Sequence, residues 1–498
     1  MKKQPAKINY FFKKAYTDLG HTIADSFSKL GEQISDNWDR VSDDWDNLRD
    51  HAGDIFDNFG EIFPSIGWTF MLGFHLGLIV LSAILTSALC VLFSLFHIVI
   101  VAIIMVFVYL GFVIVFLIDK LFCLFKRIGT SCPRCQNHFP LPVYVCTCGR
   151  KHTSLIPSKY GIFKRTCECG KKLPVTFFNG RGRVDRTMGG HWECPVCGQV
   201  YAKGAEIQSF DIPIPVVGGP SSGKTCFLTQ AIREIEANAQ KYGLEFNYIE
   251  NTSLGDDYQQ NKGLFEHGQL PSKTNDYRLR YYQFSLSPKG AKVKNIVSIC
   301  DVAGEAFDAS ADAMGSQVGL KNAKAFLVTL DPLSVNMYRD ELKDKGIDIS
   351  RYMASEKFTL DEVLLTLIKN LENLHAIAPG KKVNANVVVT FTKCDIPGLN
   401  DIFGDNAIMN YQTRHNLDSA YEALNKICEE FLIQYGEANF LNSLKSKFKS
   451  IQFFTSSALG HVENGTKFSP TGVEEPVLWL IDKAASNINL KSMWGKKI

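Results

Sequence analysis

The chain has 498 residues, a formal net charge of +3 and 14 cysteines, a length that fits two to four domains. The small net charge hides a segregation: residues 17–61 are strongly acidic, whereas residues 126–209 carry 14 Lys/Arg against 4 Asp/Glu. Eight cysteines fall in four close pairs, which argues against a secreted disulfide framework and for metal binding in a reducing compartment.

Met1 to Lys14 is basic but is not followed by a short apolar region and cleavage site, so no secretory signal peptide is expected there. Apolar residues then recur at Tyr16, Leu19, Ile23, Phe27, Leu30, Ile34, Trp38, Val41, Trp45, Leu48, Ala52, Ile55, Phe59 and Ile62. A mean step of about 3.5 residues predicts a coiled coil or narrow amphipathic helix over 1–62. Its glycines (Gly20, Gly31, Gly53, Gly60) weaken it, and its Asp-rich outer face disfavours adsorption to anionic lipid. The expected partner of this arm is another copy or another part of the protein.

Residues 62–118, 57 in all, contain no Asp, Glu, Lys or Arg. One bilayer crossing needs about 20 residues. The run therefore predicts a two-helix transmembrane hairpin over 63–119, roughly Gly67–Leu89 and Phe96–Ile118, turning at Ser94–His97. Lys120, Lys126 and Arg127 follow the second helix. By the positive-inside tendency they place both flanks, and everything after them, in the cytoplasm.

The four cysteine pairs are Cys132/Cys135, Cys146/Cys148, Cys167/Cys169 and Cys194/Cys197. Four thiolates hold one tetrahedral Zn²⁺ and leave no open coordination position, so two structural zinc ions are expected in tandem ribbons over 126–209. Sequential pairing gives Cys132/Cys135/Cys146/Cys148 and Cys167/Cys169/Cys194/Cys197, and interleaved pairing is also open. His152 and His191 stand nearby as substitute ligands. The basic excess around the knuckles suits lipid headgroups better than nucleic acid, because no aromatic–basic interleaving accompanies it.

From residue 210 to 498 short β-rich runs alternate with helical ones, the pattern of an α/β domain with a doubly wound, mostly parallel sheet. The run 212–217 is apolar but broken by Pro213 and Pro215, as in an early or edge strand. It leads into Gly218-Gly219-Pro220-Ser221-Ser222-Gly223-Lys224-Thr225, a G-x-x-x-x-G-K-[ST] loop, and then a helical run from Cys226. Backbone N–H groups there cradle a polyphosphate, Lys224 reaches the β- and γ-phosphates, and the Thr225 hydroxyl ligates Mg²⁺. The runs 294–300, 325–330, 387–391 and 451–454 read as buried parallel strands. Helices are expected over 359–375, 417–435 and 473–486, and a mobile loop over 251–281. Cys300, Cys394 and Cys428 read as apolar fillers.

Four further elements follow the phosphate loop in order. Asp301-Val302-Ala303-Gly304-Glu305 ends the strand 294–300, so that Asp301 can hold Mg²⁺ through water and the Gly304 N–H can meet the γ-phosphate. Thr392-Lys393-Cys394-Asp395 ends the strand 387–391. Asp395 can accept both N1–H and the 2-amino group of guanine, while Lys393 lays its stem along the base. Ser457-Ala458-Leu459 offers backbone amides to the guanine 6-oxo group. The first switch needs a γ-phosphate-sensing threonine, for which Thr274 is preferred over Thr252. Arg278 and Arg280 are placed to serve as an internal arginine finger or as a charged strand edge.

With these motifs in this order, residues 210–488 resemble the Ras-like and translation-factor superclass of P-loop GTPases, known as TRAFAC. The upstream cysteine pairs, with Lys159-Tyr160-Gly161 and Cys167-Glu168-Cys169-Gly170-Lys171-Lys172, resemble bacterial "double-GTPase" members of that clade. The resemblance implies GTP and Mg²⁺ as ligands and a role in multi-gene regulatory or defence systems. Thr392 replaces the usual asparagine of the base motif, as in dynamins. Glu305 stands where Ras-like members usually carry the glutamine that orients water, which implies slow hydrolysis or a need for a partner's arginine. The expected protein is a membrane-anchored GTPase switch working on an unidentified partner or activator. Rival readings are a dynamin-like membrane remodeller, a nucleotide-gated pore and a nucleic-acid sensor.

Overall fold

A computed structural model describes residues 10–12, 14–56, 58–132, 135, 137–153, 155, 166–174, 189–201, 209–249, 257–271, 280–301, 323–350, 352, 359–373, 381–460 and 467–494. The chain forms two compact units, one comprising Met1–Phe122 with Leu155–Asn179, the other Cys123–Ser154 with Gly180–Ile498.

In the first unit, helix α1 (Lys14–Gly53) ends at Gly53 and is followed by two single 3₁₀ turns, Asp54–Phe56 and Phe59–Glu61. The expected seam splits in two. Leu19, Leu30 and Val41 are buried at intervals of 11 residues, about three helical turns. Tyr16, Phe27, Trp38 and Trp45, from the same seam, are exposed.

Helix α2 runs unbroken from Ile62 to Phe125, 64 residues or about 96 Å at 1.5 Å per residue. This corrects the expected hairpin. No Gly or Pro interrupts residues 78–110, and Ser94, placed in the turn by sequence, donates its hydroxyl to the Cys90 carbonyl at 2.6 Å. A polar side chain satisfied inside the helix gives no reason for the chain to turn. Among the described residues there is thus one helix long and apolar enough to cross a membrane. His75 of α2 is bonded to Asp44 of α1 at 2.6 Å, both buried.

The second unit opens with small strands: β1 (Thr130–Ser131) and β2 (His138–Phe139) pair antiparallel. Strands β3 (Val143–Val145), β4 (Lys151–His152) and β5 (His191–Glu193) form an antiparallel sheet with β3 at its centre.

The large sheet has seven strands in the order β12-β11-β10-β6-β9-β8-β7. They are β6 (Phe210–Gly218), β7 (Leu244–Ile249), β8 (Arg280–Pro288), β9 (Asn295–Asp301), β10 (Ala325–Leu330), β11 (Val383–Phe391) and β12 (Phe448–Thr455). β12, β11, β10, β6 and β9 are parallel; β8 and β7 are added antiparallel. β9 and β10 are buried at every position, as expected of strands covered on both faces. β6 is central, not an edge, yet its prolines fit. β10 joins it only from Val216, so along Pro213 and Pro215 it is flanked by β9 alone.

Side chains alternate into two cores. Val217, Phe326, Val328, Val387, Val389 and Phe391 face one; Ile214, Val216, Leu327, Val388 and Val297 face the other. The first is closed by helices including Leu360–Asn373 and Ala420–Gln434, the second by α3 (Lys224–Asn238) and the helix Glu474–Ala484. Within the stretch read as a loop, residues 257–266 form helix α4 (Asp257–Glu266), held on α3 because Glu236 accepts from Tyr258 at 3.0 Å and Lys262 at 2.8 Å.

Candidate functional site

The loop Gly219–Gly223 joins the C-terminal end of central β6 to the N-terminus of α3, where unpaired N–H groups and the helix dipole favour an anion. Two positions require special backbones. A Cβ on Gly218 would stand 2.1 Å from Thr329 Oγ1, and Gly223 has φ of 82°. Ser221 also adopts positive φ, 59°. Lys224 Nζ donates to the carbonyls of Gly218 and Gly219, each at 2.9 Å, so the ammonium is folded back over the loop. Thr225 Oγ1 donates to Asp301 Oδ2 at 3.3 Å. The two side chains assigned to Mg²⁺ therefore meet although 76 positions separate them.

The loops that follow β11 and β12 carry the residues expected to meet the base. Thr392 donates to the Ser222 carbonyl at 2.8 Å, tying this segment to the phosphate loop. Lys393, at φ of 55°, donates to the Ser221 carbonyl at 2.8 Å. Ser457 Oγ donates to Asp395 Oδ1 at 2.6 Å and accepts from the Gly460 N–H at 2.8 Å. Its hydroxyl thus orients the Asp395 carboxylate. Burial pushes the thiols of Cys226 to about 11 and of Cys300 and Cys394 to about 12, so all three are neutral fillers at pH 7. Thr274, Gly304 and Glu305, with Thr252 and Arg278, lie outside the described residues.

Three side chains in the site carry no motif. Asp331, at the end of β10, is buried and accepts from Lys393 Nζ at 2.5 Å. Gln230, on α3, donates to the Ala458 carbonyl at 3.1 Å and so links the phosphate-loop helix to the last base contact. Tyr352 donates to the Asp395 carbonyl at 3.1 Å. An acid ending a buried parallel strand beside the phosphate loop was a readable signal for Asp331; Gln230 and Tyr352 offered none.

Within the second unit the ligand atoms of Cys132, Cys135, Cys194 and Cys197 lie within 4.8 Å of one another. This is the interleaved pairing; the sequential one is overturned, because β5 pairs with β3 and brings Cys194 and Cys197 back to the first knuckle. Sulfurs of Cys132 and Cys197, and of Cys135 and Cys194, stand 3.6 Å apart. Four sulfurs about 2.3 Å from one ion would stand about 3.8 Å apart, so this group fits zinc. Burial raises the Cys135 thiol, but hydrogen bonds from Asn137, Cys194 and Cys197 outweigh it and leave the thiol at about 7.

A phosphate loop at the end of the central parallel strand, a carboxylate on its threonine and an aspartate at the base position define a P-loop nucleotide-binding domain of the GTPase type. Residues 212–468, just over half of the chain, match the Double-GTPase 2 family, and the chain belongs to that family. No curated protein matches it. Among solved structures it is similar to the Saccharomyces cerevisiae Ski7 GTPase-like domain. The form bound to GTP has 10% identity and a TM-score of 0.28, covering 57% of this chain and 52% of that one. The form bound to GDP and inorganic phosphate has 10% identity and a TM-score of 0.24, covering 55% and 50%. The chain thus spans about half the length of these structures.

Proposed function

We propose that the chain binds and hydrolyses GTP with Mg²⁺ and acts as a switch attached to a membrane. The observation that carries this reading is the placement of Lys224, the Thr225–Asp301 pair and the Ser457–Asp395 pair at the C-terminal ends of the parallel strands. Lys224 would turn from the loop carbonyls to the phosphates, Thr225 and Asp301 would hold Mg²⁺ with Thr274, and Asp395 would select guanine. The Gly304 N–H would sense the γ-phosphate, and Glu305 would accept from the attacking water. A glutamate adds negative charge beside an anionic phosphoryl group, so turnover is slow without a partner that supplies an arginine. The charge-free run 62–118 within helix α2 supports attachment to a bilayer, and the exposed aromatic side of α1 supports self-association. Nucleotide-dependent ordering of the loops around Thr274 and Gly304 would pass the state to a partner protein, in a setting of the regulatory or defence kind.

Binding and turnover of GTP and ATP by the detergent-solubilised full chain test this reading, beside Lys224→Ala and Asp395→Asn. GTP should bind at least tenfold tighter than ATP, Lys224→Ala should abolish turnover, and Asp395→Asn should erase the preference. Equal binding of ATP and GTP sinks the guanine assignment.

A further inference from the structure

The sheet of the second unit has an unusual polar stretch. On β6, β8 and β9, the side chains that alternate away from the Ile212/Ile214/Phe284/Val297/Ile299 core include Asp211, Gln283, Ser285 and Ser298. Gln283, Ser285 and Ser298 are buried. Polar groups buried in a sheet are costly unless hydrogen-bonded, and three of these are joined in a line. Gln283 Nε2 donates to Ser298 Oγ at 3.0 Å. Ser298 Oγ donates to Asp211 Oδ1 at 3.0 Å. The other carboxylate oxygen, Oδ2, accepts from Ser131 Oγ.

Ser131 precedes Cys132, the first ligand of the Cys132/Cys135/Cys194/Cys197 group. The line therefore begins at the thiol site and crosses β6 and β9 to reach β8. The Gly129 N–H donates to the Ser209 carbonyl at 2.9 Å, closing the thiol module at its exit into β6. Tyr201 is buried; burial, then the four thiols, hold its phenol above the ordinary value. Tyr281, second residue of β8, is likewise raised by burial and by Cys300, with which it is hydrogen-bonded, and by Cys135. β8 is also the strand that leaves residues 272–279, where the first switch is expected, and its Arg280 and Tyr281 lie opposite Asp301 and Cys300.

We propose that the Cys132/Cys135/Cys194/Cys197 site is a regulatory zinc site of the nucleotide domain: zinc, by fixing Ser131 and the first knuckle, holds β8 against β9 and so keeps Asp301 in place for the bound nucleotide. Loss of zinc frees Ser131, leaves Asp211 Oδ2 short of a donor, and loosens the strand pair that carries Asp301. The inference rests on the guanine-nucleotide reading above and names a regulator of that site.

The test follows dissociation of fluorescent GDP from the full chain in detergent, with zinc content measured in parallel. Failure of untreated protein to bind the probe counts against the nucleotide reading. With binding established, a zinc-selective chelator should speed dissociation roughly five- to tenfold, the size expected for one lost buried hydrogen bond, and added zinc should reverse it. Ser131→Ala keeps all four thiols. It should retain its zinc, release GDP faster from the start and gain little more on chelation; Asp211→Asn should behave alike, and Ser131→Ala alone suffices if that variant does not fold. Cys148→Ser, which touches none of these four thiols, should leave dissociation unchanged. Zinc loss without a change in dissociation overturns the proposal, as does a Ser131→Ala chain that responds to chelation as fully as the wild type.

Discussion

Asp331 Oδ2 accepts a hydrogen bond from Lys393 Nζ at 2.5 Å, and the same ammonium donates to the Ser221 carbonyl at 2.8 Å. One cation thus fastens the end of β10, the base motif and the phosphate loop. Burial raises the Asp331 carboxyl and Lys393 opposes that rise. The acid also accepts from the Leu333 N–H at 3.0 Å, a bond an asparagine can keep.

Asp331→Asn should therefore preserve the turn but release Lys393. GDP and GTP dissociation should both quicken about tenfold, the effect of one charge-assisted hydrogen bond. In a Lys393→Met background the same change should have no further effect. A persistent effect there would show that Asp331 acts only on folding.

Ser457→Ala removes the 2.6 Å bond that orients Asp395. GTP affinity should fall about 10- to 100-fold, the range for a hydrogen bond to a charged group. ATP affinity should change little, since adenine offers Asp395 no matching pair of donors. Competition binding with both nucleotides checks this.

The interleaved thiol groups make a stoichiometric prediction. Cys135 and Cys194 belong to one group, so the double variant Cys135→Ser/Cys194→Ser should still hold one zinc per chain. Cys135→Ser/Cys146→Ser should hold none. Sequential pairing predicts zero zinc in the first variant, which elemental analysis distinguishes at once.

Glu475 sits in the first turn of the helix Glu474–Ala484, where the helix dipole favours its charge. Burial nevertheless wins and holds its carboxyl above the usual range, and its Oε2 is buried with no hydrogen-bond partner among the described residues. An acid raised on folding contributes stability below its unfolded value and loses it as pH rises through the folded one. Glu475→Gln should thus raise the melting temperature by a few degrees at pH 7, with the gain fading as pH falls through the raised folded value and gone below about pH 4, where folded and unfolded wild type are both protonated. Melting curves across pH 3–8 decide the matter.

Much of the site was legible because its signals are local. Gly218 to Thr225 is one contiguous turn whose glycines answer to φ and close approach, and Asp301, Asp395 and Ser457 each follow an apolar strand. Legibility ended where a residue acts through a distant one. Gln230 meets Ala458 across 228 positions, and nothing in the residues near either announces the contact. The unbroken α2 shows a second limit. Ser94 reads as a turn former by type, yet its hydroxyl can bond within a helix as well as outside it, and composition alone does not choose.

Sequence alone determined the phosphate loop, the strands that carry it, the two sets of metal-binding pairs and the apolar run, because each depends on spacing within a few residues. Tertiary structure alone decided which thiols share a site, which acid holds Lys393, and that Ser131 reaches Asp211 and through it Ser298. Those outcomes depend on how the strands cross and pair, and a hydrogen bond of about 3 Å forms only between groups that the completed fold brings face to face.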